Sequence, residues 1–147
     1  MKDNFSKQSA TYSKYRPDYP KELYEFISSN VKKKQAAWDC GTGNGQAAKE
    51  LAKIFEKVFA TDISQQQIEN AGQRENIFYS VEPAEQTTFS HNSFDLVTVA
   101  QALHWLRVDD FYTQVKRVAK CGHFCCLDLF AFAHFKRNRC FDSGPSF

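Results

Sequence analysis

Residues Ala36 to Ala48 read AAWDCGTGNGQAA: a short apolar run ends in an acid, Asp39, and passes at once into three glycines spaced two apart, Gly41, Gly43 and Gly45. The helix-forming AAKELAKIF overlaps the end of this stretch and continues to Phe55. That order predicts strand, tight turn, helix. A turn this tight needs backbone dihedrals that a Cβ would forbid, and it leaves bare backbone for a ligand to approach. The helix behind it aims its unpaired N–H groups at the same place.

Two ligand chemistries fit such a turn. A dinucleotide-binding turn spaces its glycines G-x-G-x-x-G and usually has an apolar residue before the first, which would make the chain a nicotinamide-dependent oxidoreductase. Here the pattern is D-x-G-x-G-x-G. An acid at the strand end repels a pyrophosphate and suits a cationic group such as the ammonium of an amino acid. A glycine turn that binds nothing is the plain alternative, and the flanking chain decides.

Downstream, Val58 to Ala60 predicts a second strand, also ending in an acid, Asp62, within FATDIS. Ligands of a parallel α/β sheet sit at the carboxyl ends of its strands, so Asp39 and Asp62 are expected at one rim. Asp62 lies 17 residues after Gly45, close to where a ribose-binding acid is expected, and a carboxylate there can accept from both ribose hydroxyls. Its other reading is a helix-start role shared with Ser64. IFYSV over Ile77 to Val81 predicts a third strand and EPAEQTTF over Glu82 to Phe89 a loop able to offer backbone groups to a base edge. FDLVTVA over Phe94 to Ala100 is apolar nearly throughout, as a strand buried on both faces must be. It runs into Gln101, Ala102, Leu103, His104 and Trp105, and then Phe111, Val115 and Val118 recur at helical spacing, with acids near the helix start and bases near its end. Upstream, Pro20 suits a first helical position ahead of Leu23, Phe26 and Ile27, Lys32 to Lys34 reads as a solvated turn, and Phe5 to Tyr19 as an irregular arm or short helix. Successive β-α units imply a parallel sheet with right-handed crossovers and helices on both faces.

Composition narrows the class. With 147 residues, 42% hydrophobic and 24% charged, the chain fits one globular domain with a real core. A net charge of +2 gives no strong basic field of the kind a nucleic-acid binder carries. No stretch reads as a signal peptide or membrane span, and five cysteines, an odd number with Cys125 and Cys126 adjacent, argue for a reducing compartment. A soluble cytoplasmic protein is expected, with neither membrane nor nucleic acid as partner.

Taken together, FSKQSATYSKYRPDYP, WDCGTGNG, TDIS, EPAEQ and FDLVTVAQALHW resemble the class I S-adenosylmethionine-dependent methyltransferases, and within them the branch that contains trans-aconitate methyltransferase. The resemblance covers about Phe5 to Lys120. It implies a Rossmann-like α/β fold with S-adenosylmethionine as cofactor and a small-molecule methyl acceptor, such as a carboxylate. Carried over residue by residue, Asp39, Gly41, Gly43 and Gly45 would hold the methionine part. Asp62 would bind the ribose with Ile63 packed on the adenine, Ala84 and Glu85 would meet the adenine edge, and Ala100 and Gln101 would flank the sulfonium. Tyr15 and Arg16 would belong to an arm closing over the site, Arg16 pairing with the methionine carboxylate. His104, the nearby group that titrates near neutrality, would remove or orient an acceptor proton, or else simply pack beside Trp105. The N/D-P-P-Y/F motif of amide and base-nitrogen methyltransferases is absent, which disfavours such acceptors.

From residue 121 onward the chain departs from the family pattern. Cys121 to Phe147 holds four of the five cysteines and six of the fourteen phenylalanines. Codons exist for HFCCLDL that, read one nucleotide later, spell IFAAWTY, the kind of fifth strand the family would have. Residues 1–120 are therefore expected to form an incomplete cofactor-binding domain. Residues 121–147 are expected to be a frameshifted tail with a fifth strand over His123 to Leu129, irregular chain after it, the last strands missing and one sheet edge open. A truncated fragment that binds cofactor without turnover is the matching alternative. Cys121, His123, Cys125, Cys126, His134 and Cys140 are zinc-ligand types without the usual C-x-x-C pairing, so no metal site is expected.

Overall fold

The computed structural model describes residues 20–100, 106–128 and 131–137. In chain order these form α1 (Lys21–Asn30), β1 (Ala36–Cys40), α2 (Gln46–Leu51), β2 (Lys57–Asp62), α3 (Gln65–Glu69), β3 (Ile77–Val81), β4 (Phe94–Ala100), α4 (Val108–Val118), β5 (Ala119–Asp128) and β6 (Ala131–Arg137). One sheet in the order β3-β2-β1-β4-β5-β6 contains all the strands, and the first five run parallel. The expected α/β class and the strands at Ile77 to Val81 and Phe94 to Ala100 are present as read. A parallel sheet with β1 at its centre brings the carboxyl ends of β1, β2 and β4 to one edge, where a ligand of such a sheet binds.

β1 divides the core in two. Ala37 faces a cluster with Leu23 and Ile27 of α1, Ala48 and Leu51 of α2, and Val58, Ala60 and Leu96 of the flanking strands. Trp38 and Cys40 face the opposite cluster with Phe94, Val97 and Val99 of β4 and Phe111, Val115 and Val118 of α4. Period-two alternation sends successive side chains to opposite faces, and helices on both sides then bury the strand completely. Trp38 is wholly enclosed, its indole N–H donating to Thr61 Oγ1 at 3.0 Å. Burying a side chain of this size is worth on the order of 3 kcal/mol, provided its one polar atom is satisfied, as it is here.

Asp95 anchors the opposite end of the sheet. Its Oδ2 accepts from the Gln35 and Ala36 amides at 3.0 and 3.1 Å, and Lys120 Nζ lies 3.4 Å from its Oδ1. The starts of β1, β4 and β5 are thereby tied together through one buried carboxylate.

Two expectations need correction. The helix after the glycine turn stops at Leu51 rather than near Phe55. Ile54 and Phe55 both turn their amides onto the Leu51 carbonyl, and Asn76 Nδ2 donates to the carbonyls of Ala52 and Phe55 at 2.8 and 3.1 Å. A side-chain amide thus satisfies the carbonyls a longer helix would have used. The chain after the fifth strand is also not irregular throughout, because β6 pairs antiparallel with β5, from His123 opposite Arg137 to Asp128 opposite Ala131. Only residues 129–130 separate the two strands, too few for a parallel crossover, so the return is antiparallel. AFAHFKR also alternates polar and apolar residues after Phe132, with β-favouring phenylalanines. The edge of β5 expected to be open is therefore covered from His123 to Asp128.

Candidate functional site

The three glycines of the turn all take left-handed dihedrals, with φ of 64° at Gly41, 60° at Gly43 and 84° at Gly45. The need is sharpest at Gly45, because a Cβ there would also lie 2.4 Å from the Tyr79 hydroxyl. That hydroxyl donates to the Gly72 carbonyl at 2.7 Å, so Tyr79 of β3 fills the space a side chain would need. Burial, with the nearby Asp39 charge, pushes the Tyr79 phenol up to about 12.

Asp39, the penultimate residue of β1, lies beneath the turn and is completely buried. Its Oδ2 accepts from Thr42 Oγ1 at 2.6 Å and its Oδ1 from Thr98 Oγ1 at 2.7 Å. One hydroxyl comes from the turn and the other from the neighbouring strand. Asp62 ends β2 and grips the same turn from the other side, its Oδ2 accepting from the Gly43 amide at 2.9 Å and its Oδ1 from the Ser64 amide at 2.8 Å. The helix-start alternative read from the sequence is present as well, since Ser64 caps α3 through the Gln67 amide at 3.2 Å. Ile63 follows Asp62, half-buried.

The loop after β3 adds a third acid. Ala84 and Glu85 are both buried, and Glu85 Oε2 lies 3.6 Å from Arg107 Nε, which also reaches Asp110 at 3.4 Å. Burial alone would raise the Glu85 carboxyl, but hydrogen bonds to its ionised form, those from the Glu85 and Arg107 backbone among them, outweigh it and hold the group below its ordinary value. Burial raises the Cys40 thiol well above its ordinary value, and the charges of Asp39, Asp62, Glu85 and Glu82 raise it further. Arg117 of α4 holds the loop in place: its Nη1 donates to the Phe89 carbonyl, and its Nη2 to the Thr87 carbonyl, Thr87 Oγ1 and Gln114 Oε1 at 3.2, 3.0 and 2.8 Å. A cleft of about 600 Å³ adjoins the turn, with Asn44 and Gln46 on one wall and Lys21 and Tyr24 of α1 on another.

Asp39, the three glycines, Asp62, Ile63, Ala84 and Glu85 are thus brought to the turn and to the loop after β3. Tyr15, Arg16, Gln101 and His104 lie outside the described residues, and Ala100 is placed only as the last residue of β4. The side chains of the six candidate metal ligands, Cys121 to Cys140, are likewise outside the description. Sequence reasoning missed Thr42, Thr98, Arg107 and Arg117. One signal was available: a lone hydroxyl in a buried apolar run, Thr98 in FDLVTVA, must have a partner.

Residues 38–127 match the methyltransferase domain family, which covers more than half of the chain. This chain belongs to that family. The methyltransferase domain is 43% identical over 119 residues to a methyltransferase-named protein of Dictyostelium discoideum, spanning 80% of this chain and 45% of that protein. It is 26% identical over 122 residues to a Saccharomyces cerevisiae protein named as an S-adenosylmethionine-dependent methyltransferase, spanning 77% of this chain and 42% of that one. Among solved structures, a type II methyltransferase from Anaeromyxobacter dehalogenans superposes with a TM-score of 0.72 at 37% identity, covering 76% of this chain and 48% of the other. A Methanococcus maripaludis structure, at a TM-score of 0.74 but 22% identity over 86% of this chain and 65% of its own length, agrees in fold. The methyltransferase domain therefore spans a little under half the length of the curated relatives it matches.

Proposed function

We propose that this domain binds S-adenosylmethionine at the rim formed by the glycine turn, Asp39, Asp62 and the Ala84 and Glu85 loop, and that the protein to which it belongs methylates a small-molecule acceptor, such as a carboxylate. The observation that carries this reading is a pair of buried carboxylates, Asp39 and Asp62 at 0 and 7% exposure, bonded to the glycine turn through Thr42 and the Gly43 amide, with a third buried acid, Glu85, in the loop after β3. Such a rim repels a pyrophosphate and attracts a ligand with cationic and hydrogen-donating groups. S-adenosylmethionine has a sulfonium, an ammonium, a ribose diol and an adenine amine. The residues fit it: Asp39 and the bare backbone of the turn suit the methionine end, Asp62 the diol and Glu85 the amine.

Bound there, the cofactor supplies an activated methyl group on a good leaving group, so the chain has little covalent chemistry to perform. Its residues bind, align and desolvate. In this reading Tyr15 and Arg16 close over the methionine end, Ala100 and Gln101 border the reacting centre, and His104 takes or orients the acceptor's proton. The likeness to the trans-aconitate branch is what favours a carboxylate acceptor. Because the chain matches a little under half of each curated relative, binding is proposed for this chain and turnover for the protein as a whole.

Calorimetric titration of the 147-residue chain with S-adenosylmethionine, and with NADH in parallel, tests the reading. Saturable binding of the first alone, abolished by Asp62→Ala, is expected. A folded chain that binds NADH, or neither compound, overturns it.

A further inference from the structure

Thr98 occupies the middle of β4 at 1% exposure, in a run otherwise built of apolar residues after Asp95. Its Cα pairs with Asp39 across the β1–β4 ladder, and its hydroxyl donates to Asp39 Oδ1 at 2.7 Å. Valine would fill the same volume without a hydroxyl to satisfy, so core packing alone does not call for threonine here. The Trp38 carbonyl, at 3.4 Å, is a poorer acceptor for the same hydroxyl, which makes the carboxylate its principal partner. Thr42 takes the other oxygen at 2.6 Å. Two hydroxyls arriving from different elements fix the plane of the carboxylate.

We propose that Thr98 is a positioning residue for the cofactor's amino-acid end: through Asp39 it orients the negative charge beneath the turn toward the ligand's ammonium group. This rests on the reading of the rim as an S-adenosylmethionine site. Its role is therefore selective. It strengthens binding of a ligand that carries the amino acid and leaves the nucleoside half, held by Asp62 and Glu85, unaffected.

The test compares S-adenosylhomocysteine with methylthioadenosine, which keeps the nucleoside and lacks the amino acid, on the wild-type chain and on Thr98→Val and Thr98→Ser. Thr98→Val is expected to weaken S-adenosylhomocysteine roughly tenfold, the worth of one hydrogen bond to a charged group, with methylthioadenosine within twofold of wild type, and Thr98→Ser to restore the first affinity. If Thr98→Val does not fold by circular dichroism, Thr98→Cys, a weaker donor, replaces it with the same expected selectivity. Equal weakening of both ligands, or of neither, overturns the role of Thr98 while leaving the cofactor site standing. A folded wild-type chain that binds neither ligand overturns both.

Discussion

At Gly45 two independent requirements coincide, a left-handed backbone and the Tyr79 hydroxyl 2.4 Å from where a Cβ would sit. Gly45→Ala is expected to cost about 2 kcal/mol or more, since strain and overpacking add, read as a lower urea midpoint at unchanged slope. Gly72→Ala makes the contrast. The atoms nearest a Cβ there belong to the flexible Lys49 side chain, at 3.3 Å, so stability should change by no more than about 0.5 kcal/mol. Tyr79 also makes stability depend on pH. Its phenol titrates near 10 when unfolded and near 12 in the fold, so the unfolded chain loses its proton first as pH rises. The contribution is complete below pH 10 and is lost between about 10 and 12. Tyr79→Phe should flatten that part of the stability profile in chemical denaturation at stepped pH. At this scale the sequence showed which acids matter but not what holds them. Asp39 and Asp62 could be picked out from their place at strand ends. Their partners Thr98 and Gly43 come from 59 and 19 residues away, and local pattern does not show such distances.

Among elements, the loop after β3 has no helix of its own and is held by Arg117, which donates to Phe89, Thr87 and Gln114 at once. Arg117→Ala should leave those acceptors without their charged donor, costing about 1–3 kcal/mol. In hydrogen exchange, the amides of Thr87 to Phe89 should lose protection before those of β4 do. Strands β3 and β4 were legible to the residue because an apolar run bounded by turn formers has few other readings. The early stop of α2 was not, because it depends on Asn76 capturing carbonyls 24 and 21 residues earlier in the chain. β6 was obscured differently. Its alternation is visible in AFAHFKR, but a seven-residue stretch that follows β5 after only two residues carries no turn signature to mark it as a pairing strand.

For the molecule as a whole, the sheet's two edges differ. β3 is one edge, where Phe78 is 46% exposed while stacked on Phe59 at 5.2 Å, and β6 forms the other. Removing residues 129–147 would uncover the outer side of β5 from His123 to Asp128, the stretch that β6 pairs. Unpaired strands of that length template association, so light scattering should show the shortened chain self-associating while the 147-residue chain does not.

The division of labour along β1 has a consequence for how this chain can vary. Ala37 and Asp39 serve one face, while Trp38 and Cys40 serve the other. Substitution tests one face at a time, and its effect stays on that face. Insertion or deletion of a single residue within the strand exchanges the two sets, driving a carboxylate into the aromatic layer and an indole against α1 and α2. Lineages of this domain should therefore tolerate changes of residue type in β1 far more readily than changes of length, and absorb the latter in the turns before Ala36 and after Leu51.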